Sequence, residues 1–297
     1  MKRIILPIVL LSLIAVTLLK IDHITNYTSR LIGETPRVYI TKPNEYTTNN
    51  NYFFIQKTKD FIPYSKQDIM NIFYSFLDNG YTTFTFYCPS EYTECTSDIT
   101  NLVNNQNMIT DIGNFVHPFN NFSDVYLTTS TSGEINLKIK RTYSDEQIIA
   151  IEKKTDEILS QIITDDMDIS DKILKVHDYI IDNTSYDIDG SDGENAYNLL
   201  YEGKSKCAGY ADALAIFLSK LGVKNYKIGS EKHVWNAVYL DDKWQQIDVT
   251  WDDPVVQNGA SISNTIRHKF YLIDTKTLLS YDTTEHNFDT KTYFELQ

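Results

Sequence analysis

The apolar positions of this chain change period along its length, and each change marks an element. Ser65, with Asp68 three residues on, precedes Ile69, Ile72, Phe73, Phe76 and Leu77, and the run stops at Gly80. That pattern predicts a capped amphipathic helix. In "YTTFTFYC" the spacing drops to two, with Phe84, Phe86 and Cys88 on one face and Thr83, Thr85 and Tyr87 on the other. It reads as a half-buried strand. The aromatic run "YFFIQ" before the helix, and two runs around a Ser-Gly turn in "DVYLTTSTSGEINLKIKR", predict further strands. Residues 51–143 are therefore expected to form a small α+β domain, one without a chemical motif and open to a role as a lid.

A second unit, residues 144–297, begins with helices. Ser144 is placed to cap a helix carrying Ile148, Ile151, Ile158 and Ile162, and Ser170 to cap one carrying Ile173, Val176 and Ile180. "SKCAGYADALAIFLSKLG" follows, with Leu214, Phe217, Leu218 and Leu221 at helical spacing and Gly222 as its stop. Strands then take over in "NYKIG", "HVWNAVYL", "KWQQIDV" and "KFYLID". Helices followed by an antiparallel sheet define an α+β fold in which the Cys207 helix packs on the sheet.

Ahead of both units, Met1-Lys2-Arg3 leads into an uncharged apolar stretch from Ile4 to Leu19 that ends at Lys20. This resembles an export segment, either a cleaved signal peptide or an uncleaved membrane anchor over residues 1–20, and the lack of an A-x-A site favours the anchor. Residues 21–50, rich in Thr, Asn and Pro, read as a polar linker. The remainder is expected outside the cytoplasm, secreted or anchored to the outer face of the membrane. A net charge of -13 without any Lys/Arg block excludes nucleic acid as a partner, since phosphates need clustered cations.

An exported chain with 3 cysteines makes each of them informative. Cys88 and Cys95 are close enough to close a small loop, although spacing alone does not show that they face each other. Cys207 is left over, as a buried structural thiol or a reactive one. Its position at a helix start favours chemistry: unpaired N–H groups and the positive dipole end stabilise a thiolate, and the same N–H groups can hold an oxyanion. Ala208 and Gly209 leave room for a substrate backbone. A thiol nucleophile also needs a base and a group to orient it. If Asp241-Asp242 forms a two-residue hairpin loop, Trp235 faces Asp248 and His233 lies diagonal to it, on one side of the ladder. A loop longer by one residue would turn Asp248 away.

"KSKCAGYADALAIFLSKLGV", "HVWNAVYLDDKWQQIDVTWDDP" and "HKFYLID", preceded by "KILKVHDYIIDNTSYD" and "AYNLLYEGKSKC", resemble the transglutaminase-like superfamily, in particular its exported bacterial branch, over about residues 150 to 275. The resemblance implies a papain-like core with a Cys-His-Asp site. Cys207 would be the nucleophile, His233 the general base and later acid, and Asp248 the group that fixes the imidazole tautomer. It also implies a side-chain oxyanion donor upstream of the cysteine, for which Tyr197 and Tyr201 are candidates, and Trp235 as a cleft residue beside the base.

Other residues take plainer readings. His177 falls on an apolar stripe and reads as a packed, hydrogen-bonded core histidine. Trp244 and Trp251 read as sheet packing, and His268 as exposed. Asp252 and Asp253 near Asp248 match no calcium loop, so neither metal nor cofactor is expected. The function expected is thiol-dependent acyl transfer or hydrolysis at amide bonds of a peptide or protein, in a setting that includes the cell wall. The competing expectation is a non-catalytic surface module binding a peptide or glycan in the same cleft.

Overall fold

The computed structural model describes residues 34–188, 190, 193–253 and 267–297. The apolar segment at 1–20 and the first part of the linker lie outside the described residues. No helix among the described residues is long and apolar enough to cross a membrane.

Helix α1 (Lys66–Asp78) begins where the Ser65 side chain accepts from the Asp68 N–H, and it ends before Gly80, whose φ of 75° suits only a residue without a Cβ. Its apolar stripe, from Ile69 to Leu77, is buried. After β1 (Thr83–Tyr87) come two further helices, absent from the sequence expectation, α2 (Cys95–Asn104) and α3 (Gln106–Asn114). Half of the stretch is Thr, Asn and Asp, and the side chains that go inward, Ile99, Leu102, Ile109 and Ile112 among them, lie at helical spacing. Asn105 separates the helices and caps the second, accepting from the Met108 N–H. β2 (Phe122–Thr129) and β3 (Glu134–Arg141) complete an antiparallel sheet of order β1-β3-β2. "YFFIQ" is not a strand, because the Tyr52 N–H closes on the Ile55 carbonyl as a local turn. Cys88 and Cys95 form a disulfide, with Cα atoms 5.8 Å apart.

The helical half starts with α4 (Asp145–Ile162), where Ser144 and Gln147 satisfy each other's backbone N–H groups in a capping box. In α5 (Ile169–Asn183) the cap is Asp168, not Ser170: its carboxylate accepts from the Asp171 N–H and starts the helix two residues earlier. A short parallel bridge joins β4 (Ser185–Tyr186) to β5 (Lys204–Ser205), with α6 (Ala196–Glu202) between them. α7 (Cys207–Lys220) follows directly and stops at Gly222, φ 73°.

β6 (Asn225–Gly229), β7 (Val234–Leu240) and β8 (Lys243–Ile247) form a second antiparallel sheet in that order. Both loop residues of the β7–β8 hairpin, Asp241 and Asp242, have positive φ (52° and 58°), and Leu240 pairs with Lys243. This is the primed turn whose twist suits a two-residue hairpin. "KFYLID" forms no strand. The Phe270 N–H donates to Asp252 and its carbonyl accepts from the Asp248 N–H, which leaves an isolated bridge between Ile273 and Gln246. α8 (Val249–Asp252) and α9 (Thr275–Tyr281) end the regular structure, apart from short 3-10 turns.

Strand β7 divides two cores. Trp235 and Ala237 point into a cluster built with α1 to α3 and the first sheet, while Val238 and Leu240 point into the cluster of α4 to α7. The alternation follows from the two-residue period of a strand, and burial on both faces explains why this strand is almost wholly apolar. Residues 51–143 are thereby joined to the second sheet: the Tyr226 ring packs on Phe115 at 4.9 Å and on Tyr52 at 5.3 Å, and the Tyr293 hydroxyl accepts from both Asn114 and the Gly229 N–H.

Candidate active site

Three elements of different origin meet at the end of the second sheet. Cys207 is the first residue of α7 and is half-buried, and its cap residue Lys206 provides no side-chain bond to the first turn. The N–H groups there are free of a side-chain cap, so the positive helix end faces the thiol. Gly209 is required by close packing: a Cβ at that position would lie 2.7 Å from the Asn195 carbonyl oxygen and against Ser205.

His233 sits at the start of β7, in a turn closed by Ser230. The Ser230 hydroxyl accepts from the His233 N–H at 3.1 Å, and the Ser230 N–H donates to the His233 carbonyl at 2.9 Å. Asp248 follows β8 directly and caps α8, its Oδ1 accepting from the Trp251 N–H at 3.1 Å. Continuing the observed register, in which Asn236 pairs with Ile247, sets Trp235 opposite Asp248. The diagonal relation expected of His233 and Asp248 is realised as a hydrogen bond from Nε2 to Oδ2 of 2.5 Å.

The electrostatics follow from this contact. Burial disfavours the charged ring of His233, but the Asp248 carboxylate and then the Cys207 side chain carry its pKa well above the usual histidine range. Burial likewise works against an ionised Asp248, and the bonds and charges of His233 and His286 outweigh it, leaving the pKa below the usual carboxylate range. Trp235 is buried and stacks on His233 at 5.6 Å, with its Nε1–H donating to Gln246. It shields one side of the imidazole from water.

Tyr197 and Tyr201 do not join this group. Their rings stack on each other at 4.8 Å, the Tyr201 hydroxyl donates to the Ala150 carbonyl, and Lys154 lies over the Tyr201 ring, so the pair packs along α4. The tyrosine beside the cysteine is Tyr186, which pairs with Ser205 across the β4–β5 bridge, two residues ahead of Cys207. Its pKa is raised by burial and then by the Cys207 charge. A two-residue bridge has no periodic signal, so sequence reasoning had nothing by which to find it. His286 was missed for a similar reason: it lies in an irregular segment far along the chain.

His177 is fully buried and hydrogen-bonded, its Nε2 to Asp252 at 3.1 Å and its Nδ1 to Asp178 at 3.3 Å. His268 is half-buried rather than exposed, its Nε2 on Asp178 at 2.6 Å. Asp253 accepts from the Tyr210 hydroxyl. Among the described residues, two sets of side chains have ligand atoms gathered within 4.8 Å, His177 with Asp178 and His268, and His233 with Asp248 and His286. In both, the shortest separations are those of hydrogen bonds, 2.6 Å and 2.5 Å, below the roughly 3.3 Å edge of a tetrahedral zinc shell.

Residues 156–249 match the family model of the transglutaminase-like superfamily, and over this stretch the chain carries a transglutaminase-like domain. Cys207, His233 and Asp248 all lie within it. The chain is also similar to the kyphoscoliosis peptidases of Mus musculus, 21% identical over 146 residues, and Homo sapiens, 23% identical over 139 residues. These matches take in 42% and 40% of this chain but only 22% and 21% of the relatives' own length. A solved structure described as a TGase overlaps 51% of this chain and 50% of its own at 17% identity, with a TM-score of 0.32, too low to carry an argument.

Proposed function

We propose that this protein catalyses thiol-dependent acyl transfer or hydrolysis at amide carbonyls of a peptide or protein substrate. The observation that carries the reading is the His233–Asp248 hydrogen bond of 2.5 Å on an imidazole whose pKa the Cys207 side chain also raises. In the proposed cycle the thiol proton passes to His233 before the chemical step, and Cys207 Sγ then attacks the carbonyl carbon as a thiolate. The N–H groups at the start of α7 receive the oxyanion, and the imidazolium gives its proton to the leaving amine. The thioester then passes its acyl group to water or to an amine, with His233 again the base. Asp248 holds the ring so that its other nitrogen serves the thiol. The apolar segment at 4–19 supports a place outside the cytoplasm, secreted or held on the outer membrane face, where cell-wall peptides are within reach.

The test is mass spectrometry of products from a glutamine-containing peptide library incubated with wild type or Cys207→Ala, with and without a primary amine. Cleavage, a one-unit mass gain by deamidation, or an amine adduct, each dependent on Cys207, supports the reading and names the acceptor. No Cys207-dependent product with any peptide overturns it in favour of a binding module.

A further inference from the structure

His286 lies outside the segment matched by the family model, yet it is the second imidazole on Asp248. It is fully buried, and its Nε2 is 2.7 Å from Asp248 Oδ2, the oxygen that already takes His233. Its Nδ1 is 3.0 Å from Asp282 Oδ2. Asp282 is itself fixed, accepting from the backbone N–H groups of Thr284, Glu285 and His286 and from the Thr284 hydroxyl. The charged and titratable groups facing the ring are thus Asp248, Asp282 and His233. The rest of its cage is aromatic, Phe270 stacked at 5.4 Å with Trp235 and Trp251 edge-on at 4.9 and 4.8 Å.

An imidazole with a carboxylate at each nitrogen satisfies both contacts when each nitrogen carries a proton. The Nε2–H donated to Asp248 Oδ2 offsets part of the cost of keeping that carboxylate ionised away from water. Geometry adds to charge. One carboxylate oxygen of Asp248 is held by the Trp251 N–H and the other by His286, so the carboxylate cannot rotate away from His233. The Ser230 hydroxyl, which shapes the His233 turn, also donates to the Glu285 carbonyl at 2.5 Å, tying the two histidine segments together.

We infer that His286 is a positioning residue of the triad: by donating Nε2–H to Asp248 Oδ2, it keeps that carboxylate ionised and aimed at His233. The inference rests on the reading of Cys207 as the nucleophile. His286 acts through Asp248 and not on the substrate.

The experiment compares the full chain with His286→Phe, which keeps ring volume without donors, and His286→Gln, which keeps a donor near the Nε2 position. The rate of Cys207 alkylation by iodoacetamide is followed from about pH 5 to about pH 9, beside thermal unfolding of each variant. His286→Phe is expected to slow alkylation at neutral pH by about tenfold or more and to move the profile to higher pH, while His286→Gln recovers most of the loss. A folded His286→Phe protein with the wild-type profile overturns the inference, as does a glutamine variant no better than phenylalanine. Should His286→Phe not fold, Asp282→Asn removes the charge behind Nδ1, and the same upward displacement is expected. An unchanged profile in that variant overturns the inference. A wild-type thiol no more reactive than a free model thiol overturns the reading of Cys207 itself, and the role of His286 with it.

Discussion

Asp248 is bound to His233 by one oxygen while the other caps α8, so the Nε2–Oδ2 contact of 2.5 Å has a partner that is itself immobile. Replacing Asp248 by Asn separates these tasks. Asparagine has one acceptor oxygen where Asp248 uses two, so it keeps either the α8 cap or the histidine contacts and some stability is lost, and because its amide cannot fix the same tautomer of His233 activity should fall about 10³- to 10⁴-fold in kcat. Asp248→Ala should lose the same activity and, because it strands two buried imidazoles as well as the cap, about 3–5 kcal/mol of stability. Steady-state kinetics and urea unfolding of both variants check the split.

Stability should fall on acidification through His117. Its Nδ1 accepts from the Phe119 N–H at 3.2 Å, and burial, assisted by Lys227 and Lys220, holds the pKa down to about 3. A histidine depressed in the folded state contributes stability above its unfolded value of about 6.5, and loses it as pH drops toward about 3. The slope is about 1.4 kcal/mol per pH unit for one proton. Asp111 and Asp253, both raised by burial to about 6, act in the opposite sense, so the measurement is the difference between wild type and His117→Gln. Urea midpoints should converge between about pH 6 and about pH 4 if His117 is the group responsible.

On the alkaline side the sign reverses. His233, raised to about 10 against burial by Asp248 and Cys207, contributes stability that is complete below about 6.5 and is lost as pH rises toward about 10. His233→Gln should flatten that decline, which pH-dependent unfolding would show.

The Cys88–Cys95 disulfide closes a short loop, with a sequence separation of 7, at the start of α2. Loop-closure entropy puts its contribution at about 2–3 kcal/mol. The double variant Cys88→Ala/Cys95→Ala should lose that amount in urea unfolding. Its Cys207 alkylation rate should stay within about twofold of wild type, because no triad residue touches the loop.

Asp212 and Lys227 form a buried ion pair at 2.5 Å, and the Tyr143 hydroxyl donates to the second Asp212 oxygen. Asp212→Ala strands the ammonium beside apolar side chains and should cost about 3–5 kcal/mol. Asp212→Ala combined with Lys227→Met should recover much of that loss. A double-mutant cycle in urea is the check, and equal losses in the single and double variants would contradict the pairing.

Much of this protein is legible in its sequence because the determining forces are local. Ser65, Ser144, Gly80 and Gly222 set helix ends by satisfying or releasing backbone groups within a few residues. The two-residue turn at Asp241-Asp242 fixed the register that sets His233 diagonal to Asp248. The period is present in α2 and α3, where Ile99, Leu102, Ile109 and Ile112 keep helical spacing among Asn and Thr residues that read as loop, and it failed where backbone bonds ran to distant partners, as at Phe270. Asp168 displaced Ser170 as a cap because both residues offer a side-chain acceptor and only the folded chain chooses between them. Tertiary structure alone decided that β7 is covered on both faces, since its apolar run names no partner. The same holds for Tyr186, which the β4–β5 bridge brings beside Cys207 while Tyr197 and Tyr201 pack along α4. It also brought His286 onto Asp248, a contact between residues remote in sequence, created by the packing of an irregular segment and carrying no periodic signal.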